Sequence, residues 1–174
     1  MQQALGGEIV LDGKKLEEYK EQQLASKVSV VLTEKIVSNN LTVQELIALG
    51  RQPYTNWIGS LTKTDKEKIS EAINLVQLTE LQHKKCYELS DGQLQKVMLA
   101  RALAQDTSII LMDEPTSHLD LYHKATILKL LRKIAHQTKK TILFTTHEIE
   151  VALQICDKIL ILEKEQSSFG SPDE

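Results

Sequence analysis

The sequence predicts an α/β domain whose helices flank a mostly parallel sheet. Short apolar runs of strand length alternate along the chain with stretches of helical periodicity, a pattern typical of strand–helix–strand units. The chain of 174 residues, 41% hydrophobic and 26% charged, is long enough for one domain with a substantial core. Its longest apolar runs, such as 109–112 and 159–162, are far shorter than the roughly 20 residues of a membrane-spanning helix.

The predicted elements follow one another in a regular order. Residues 12–13 form a turn after the first strand, and Thr42 with Glu45 has capping-box spacing at the start of a helix. Residues 51–64, rich in turn-forming and aromatic residues, predict an exposed loop that meets a partner, and 164–174 predict a loose polar tail. By residue number, the elements are strands 8–11, 27–32, 108–112, 141–145 and 158–162 and helices 42–50, 65–76, about 90–104, 121–136 and 148–156.

Two carboxylates follow directly after the most apolar predicted strand, 108–112. The carboxyl edge of an open α/β sheet is where ligands bind, so Asp113 is placed to hold Mg²⁺ and Glu114 to orient and polarise a water. Taken alone, the same pattern more often marks a strand followed by a solvated acidic turn, because short motifs carry many false positives.

Ser90 and Gly92 lie at the predicted start of a helix, where free backbone N–H groups and the helix dipole favour an anion. Gly92 would let a phosphate approach the backbone closely. Considered without its neighbours, Ser90 is more simply an N-cap. His147 follows the strand at 141–145, at the edge that carries the two carboxylates. Alone it would be an ordinary surface histidine, but at this edge its imidazole can reach a terminal phosphate or the attacking water.

Together these elements resemble the ATP-binding-cassette (ABC) family of transporter ATPases. LSDGQ at 89–93 resembles the family signature, and IILMDE at 109–114 resembles its Walker B strand. PTSHLD at 115–120 resembles the loop that carries the family's aspartate, and TTHE at 145–148 resembles the switch histidine. Four motifs in the family order make coincidence very improbable.

The resemblance extends over nearly the whole chain. GEIVLDGKKL at 7–16 is similar to the family's strand and turn after the nucleotide-loop helix, and LTVQELIALGRQPYTNW at 41–57 resembles the iron-siderophore, haem and vitamin B12 importers. The implied fold is a P-loop NTPase-like domain in which about 41–104 form a helical signature subdomain, while 1–40 and 105–163 form the sheet core.

The family resemblance also implies roles for individual residues. Glu114 would be the general base and His147 a γ-phosphate contact, with Asp113 holding Mg²⁺. Two cassettes would sandwich two ATP molecules, so the signature of one chain binds nucleotide held by the other. The residues with this second role are Ser90, Gly92 and Gln93, and Asp120 would link the two sites.

The sequence departs from the family in three places. It contains no GxxxxGK(S/T) phosphate loop, which the family order places ahead of Gly7, so we expect an incomplete domain with weak or no activity of its own. Thr33 occupies the position of a metal-contacting glutamine. Its shorter side chain makes a direct Mg²⁺ contact doubtful, and Glu34 is an alternative. Asp91 replaces the signature's usual glycine and adds a negative charge.

The implied function is ATP hydrolysis coupled to metal-chelate import, by a cytoplasmic subunit bound peripherally to the membrane. Its partners would be a second, identical cassette, transmembrane permease subunits and, indirectly, an external substrate-binding protein. A catalytically silent accessory cassette and a soluble non-transport ATPase are the alternatives. The net charge of −3, with scattered lysines and 4% aromatic residues, gives little support to nucleic-acid binding.

Overall fold

The computed structural model describes residues 6–33, 40–163 and 166–172, which form helices and strands in mixed order. Short 3₁₀ turns lie at Leu16–Glu18, Leu49–Tyr54, Thr79–Leu81 and Cys86–Glu88. The elements are β1 (Val10–Leu11), β2 (Lys14–Lys15), α1 (Glu21–Ala25), β3 (Val28–Val31), α2 (Val43–Ala48), α3 (Lys63–Leu75), α4 (Asp91–Ala104), β4 (Ile109–Met112), α5 (Leu121–Thr138), β5 (Thr141–Phe144), α6 (Ile149–Ile155), β6 (Ile159–Leu162) and β7 (Ser167–Gly170).

The main sheet has three parallel strands in the order β3-β4-β5. Val31 pairs with Met112, and Met112 pairs with Phe144, so all three strands end at the same level. Ile110 and Met112, which point to one face of β4, are buried, whereas Ile109 and Leu111 on the other face are half-buried. The strand was predicted to be buried on both faces, and the structure buries one of them fully. The predicted α/β fold with a parallel sheet is confirmed, and the register brings the three following loops to one edge.

Helix α4 connects the sheet to a helical layer. It packs against α2 and α3 on one side and against β3 and α5 on the other. Val97, Leu99 and Ala100 in α4 are fully buried, and so are Leu46 and Ile47 in α2. Burial of about 1.5–3 kcal/mol per large apolar side chain makes this shared core the main attachment of the helices to the sheet.

The first predicted turn and the predicted capping box of α2 are both confirmed. Asp12 and Gly13 have φ of 50° and 76°, the left-handed values of a type I′ hairpin turn between β1 and β2. The Thr42 hydroxyl accepts from the Glu45 N–H, and the Glu45 carboxylate accepts from the Thr42 N–H.

Some predictions of local structure differ from the structure. In the predicted exposed loop at 51–64, residues 51–54 belong to the 3₁₀ turn at Leu49–Tyr54, and Arg51 is buried because its guanidinium donates to Asp65 and to the Ala104 carbonyl. The predicted helix at 65–76 begins at Lys63, because Thr62 and Asp65 form a second capping box. The predicted loose tail is a strand over Ser167–Gly170, because its backbone pairs antiparallel with β6 and the Lys158 ammonium lies over the Phe169 ring. Within the described ranges, no helix is both long and apolar enough to cross a membrane.

Candidate functional site

Three side chains meet where the parallel strands end. The Thr33 hydroxyl follows β3, Asp113 follows β4, and the Thr145 hydroxyl follows β5. Thr145 Oγ1 donates to Asp113 Oδ1 at 2.7 Å, and Thr33 Oγ1 donates to Oδ2 at 2.9 Å. Each oxygen of the Asp113 carboxylate therefore accepts one hydroxyl proton from a neighbouring strand, and its remaining lone pairs are available to a ligand.

The Thr145 hydroxyl is the main reason that the pKa of Asp113 lies below its usual range, and the Thr33 hydroxyl is the second. Both hydroxyls stabilise the charged carboxylate, because they donate to it. Asp113 is also exposed to solvent, so it presents a negative charge at the sheet edge. The hydroxyl of Thr33, the residue at the position of the metal-contacting glutamine, donates to the Asp113 carboxylate, while Glu34 lies outside the described residues.

Glu114 adopts an unusual backbone conformation beside this carboxylate. Its φ of 42° is in the left-handed region, and its N–H donates to Thr145 Oγ1 at 3.0 Å. His147 Nε2 lies 2.5 Å from Glu114 Oε1. Because a carboxylate only accepts, Nε2 carries the proton in this contact. The structure thus brings Glu114 and His147 together, as the sequence predicted.

Ser90 is the N-cap of helix α4, as the simpler interpretation of the sequence predicted. Its hydroxyl accepts from the Gln93 N–H at 3.3 Å, and the Gln93 side-chain oxygen accepts from the Ser90 N–H at 3.0 Å. The cap is compatible with an anion site, because a capping hydroxyl accepts only one of the N–H groups that a helix start directs outward. Asp91 lines a cleft between this turn and the sheet edge, together with Thr33 and Asp113.

Gly92 is required for a reason that the sequence did not show. A Cβ at this position would lie 2.7 Å from Cδ2 of the His123 ring, so the ring occupies the space of a side chain. The other end of the same ring approaches Asp120: Nδ1 is 2.8 Å from Asp120 Oδ2. Asp120 also caps α5 by accepting from the His123 N–H, which is the main cause of the lowered pKa of Asp120. His123 therefore connects the signature turn to the Asp120 loop.

Sequence reasoning missed both Thr145 and His123. The TTH string contains Thr145, but nothing local shows that the first hydroxyl, rather than the second, faces the β4 carboxylate. For His123, the spacing of three residues after a capping aspartate was a readable signal for a local contact.

A family model described as ABC transporter matches residues 1–117. The chain belongs to the ABC transporter family. This ABC chain is 42% identical over 168 residues to an uncharacterised ABC transporter ATP-binding protein of Methanocaldococcus jannaschii, with 96% of this chain and 58% of that protein covered. A petrobactin import ATP-binding protein of Bacillus anthracis is 33% identical over 97% of this chain and 62% of its own length. The ferric enterobactin transport ATP-binding protein of Escherichia coli is 30% identical, with the same two coverages of 97% and 62%.

Solved structures support the same fold. An ABC transporter described as metal-chelate type, in an inward-facing conformation, superposes with a TM-score of 0.79 at 31% identity, over 84% of this chain and 59% of that chain. A dimeric cassette bound to ADP and Pi gives 0.74 at 28% identity, over 94% and 73%. The resemblance to metal-chelate importers is confirmed. The ABC chain spans about 60% of the length of the curated relatives cited above.

Proposed function

We propose that this chain is the ATP-binding part of an importer subunit that couples ATP hydrolysis to uptake of an iron-siderophore or similar metal chelate. The observation that carries the proposal is the group of Asp113, Glu114 and His147 at one sheet edge, with the Glu114 carboxylate in contact with the His147 ring. Relatives named for petrobactin and ferric enterobactin transport support the substrate class.

Within the proposed reaction, Glu114 polarises the attacking water and accepts its proton. Its carboxylate projects from the loop after β4, so it can act on a phosphoryl group held at the sheet edge. His147 lies exposed beside it, with its Nε2 proton facing Glu114. An oxygen of the γ-phosphate would also accept a hydrogen bond from this N–H. The two residues would therefore act on neighbouring oxygens of the same reaction.

Asp113 fits the needs of Mg²⁺. This ion is typically held by one or two carboxylates together with phosphate oxygens and water. Asp113 is exposed and keeps free lone pairs, and the described residues contain no group of three or more His, Cys, Asp or Glu that would form a complete protein cage. Bound there beside ATP, Mg²⁺ would neutralise charge on the transferring phosphate.

The second set of residues would act on the nucleotide of a partner cassette. Ser90, Gly92 and Gln93 form the N-terminal turn of α4, where backbone N–H groups favour an anion. Asp120 would link the two sites, since the His123 ring holds it against the same turn. The partner would be a second, identical cassette, and the dimeric cassette that superposes on this chain supports that arrangement.

We also propose where the subunit lies and how its domain is divided. The subunit would lie on the inner face of the membrane against permease subunits, and an external binding protein would deliver the chelate. Within the domain, 41–104 would be the helical signature subdomain, packed through α4 on the sheet core of 1–40 and 105–163. In the helical signature subdomain, Trp57 is 95% exposed and Ile58 is 67% exposed, which suits a contact with another subunit.

The test uses this chain joined after an N-terminal cassette segment that contains a GxxxxGK(S/T) phosphate loop, so that this loop faces Asp113 and Glu114. In this chimera, Glu114→Gln should lower the ATP hydrolysis rate by about 10²–10⁴-fold, the usual contribution of a catalytic base. ATP binding should remain, and gel filtration with Mg-ATP should show a dimer. Glu150→Gln, an exposed carboxylate on α6, is the matched control.

Ser90→Arg in the same chimera should keep it monomeric under Mg-ATP, because bulk and charge then occupy the docking point of the partner's γ-phosphate. Ser60→Arg, at an exposed loop position, should leave the dimer intact. Wild-type hydrolysis in Glu114→Gln would overturn the proposed role of Glu114. A wild-type chimera that binds ATP and dimerises without hydrolysing it would instead indicate the silent accessory cassette.

A further inference from the structure

We propose that Thr145 is a positioning residue that fixes the directions of the Asp113 and Glu114 carboxylates relative to each other. The inference rests on the proposed function of these two carboxylates and adds a residue to it. Thr145 contacts neither substrate nor metal in this proposal. It acts through its hydroxyl, which lies between the two consecutive acidic residues.

One hydroxyl makes both contacts without conflict. Thr145 Oγ1 gives its single proton to Asp113 Oδ1 at 2.7 Å and accepts the N–H of Glu114 at 3.0 Å. The metal-binding side chain and the backbone of the proposed base are therefore hydrogen-bonded to the same atom. Because Thr145 begins the loop after β5, this atom is held by a different strand from the one that carries the carboxylates.

The backbone of Glu114 needs such a contact. A non-glycine residue in the left-handed region is strained and persists only where its surroundings hold it. Glu114 has a φ of 42°, and its N–H donates to the Thr145 hydroxyl, so this hydrogen bond anchors the peptide group at which the strained residue begins. Without that acceptor, Glu114 would relax toward an ordinary conformation, and its carboxylate would leave the His147 ring.

Thr145 is not needed for pairing of the strands themselves. Its backbone N–H donates to Met112 O at 3.0 Å, which continues the β4–β5 ladder whatever the side chain is. Thr33, on the opposite side, supplies a matched comparison. Its hydroxyl bonds Asp113 through Oδ2 and the main-chain oxygen, and these contacts do not involve Glu114. Removing the Thr33 hydroxyl should therefore affect Asp113 and leave the Glu114 backbone in place.

The first experiment uses the 174-residue chain and follows amide hydrogen exchange of Glu114 by NMR. Thr145→Val keeps the shape but removes the acceptor, so the Glu114 N–H should exchange at least about 10-fold faster, as expected for a lost hydrogen bond of about 1.4 kcal/mol. Thr145→Ser should restore slow exchange, and Thr33→Val should leave it unchanged. Thr145→Ala carries the same expectation as Thr145→Val if the valine variant does not fold.

The second experiment measures steady-state ATP hydrolysis in the chimera described above. Thr145→Val should lower kcat by roughly 10²-fold, the effect of misplacing a reacting group by about 1 Å, with little change in KM for Mg-ATP. Thr145→Ser should recover most of that loss. Equal activity in Thr145→Val and wild type, or a serine variant as slow as valine, would overturn the inference. If Glu114→Gln also hydrolyses ATP normally, the proposed function itself has failed.

Discussion

Asp65 and Asp113 show how the same interaction serves two purposes in this chain. Both carboxylates have a pKa below the usual range, and in both the first cause is a threonine hydroxyl, Thr62 for Asp65 and Thr145 for Asp113. Asp65 is buried, with 2% of its surface exposed, whereas Asp113 lies open to solvent. Threonine thus stabilises a charge that completes the fold in one place and a charge that is available to a ligand in the other.

The surroundings of Asp65 show what a fully used carboxylate looks like. The Arg51 guanidinium donates to Asp65 Oδ1 and, through Nη1, to the Ala104 carbonyl, each at 2.8 Å. It also lies 4.1 Å from the centre of the Tyr54 ring. This arginine therefore joins the turn after α2, the start of α3 and the end of α4. At Asp113, the side-chain hydrogen bonds among the described residues come from the hydroxyls of Thr33 and Thr145.

Loss of the arginine that faces buried Asp65 should reduce stability more than any other substitution considered. Arg51→Ala should lower the free energy of unfolding by about 3–5 kcal/mol, because it leaves the Asp65 charge buried without its partner. Urea denaturation followed by circular dichroism measures it. Asp113→Asn should change stability by less than about 1 kcal/mol. A similar loss in both variants would contradict the distinction between the two carboxylates.

Gly50 and Gly92 differ in how closely they are packed. A Cβ at Gly50 would lie 2.2 Å from the Arg101 carbonyl oxygen, whereas the nearest atoms to a Cβ at Gly92 belong to the His123 side chain. Gly50→Ala should therefore cost about 1–3 kcal/mol or more, since backbone has to move. Gly92→Ala should cost less, and adding His123→Ala should relieve it. Thermal melts of the three variants test this, and equal losses for Gly50→Ala and Gly92→Ala would count against it.

Loss of a helix cap should have a smaller effect on stability. Thr62→Ala and Ser90→Ala should each destabilise the chain by about 1 kcal/mol, because both hydroxyls accept an N–H in the first helical turn. In the chimera, only Ser90→Ala should also weaken the dimer formed with Mg-ATP. A loss of dimer in Thr62→Ala at temperatures where it is fully folded would show that the assay reports stability alone.

Much of this architecture was predictable because it depends on local patterns. The strand before Asp113 and the helix after Ser90 were placed within a residue or two, since apolar periodicity and capping spacing are short-range signals. The Arg51–Asp65 pair was not predicted, because the tertiary fold brings a turn and a helix start together and no local pattern indicates the contact. Thr145 was missed because its contacts cross from the end of β5 to the end of β4, and nothing local in TTH indicates which hydroxyl makes them. The strand at Ser167–Gly170 is held by backbone pairing, which leaves little trace in SSFG.

The smallest expected effect is on the pH at which Asp113 takes up its proton. The lowered pKa of Asp113 means that its stabilising hydrogen bonds are fully present above the unfolded value of about 3.9 and are lost as pH falls through the folded pKa. Thr145→Val removes the main cause, so Asp113 should take up its proton at a higher pH than in wild type. Carboxyl ¹³C NMR titration between about pH 2 and 5 checks it. Thr126→Val, whose hydroxyl bonds the Tyr122 carbonyl, should not change this titration.

The left-handed backbone at Glu114 also bears on how this chain responds to selection for heat resistance. Other non-glycine residues with positive φ lie in turns or just after helices, where such values are routine: Asp12, Gln77, Asp106 and Lys139. Glycine at 114 would adopt the same φ without the steric cost of roughly 1 kcal/mol or more. A screen for thermostable variants should therefore favour glycine there and discard the carboxylate that we propose polarises water. Thermostability and turnover would be opposed at this single position.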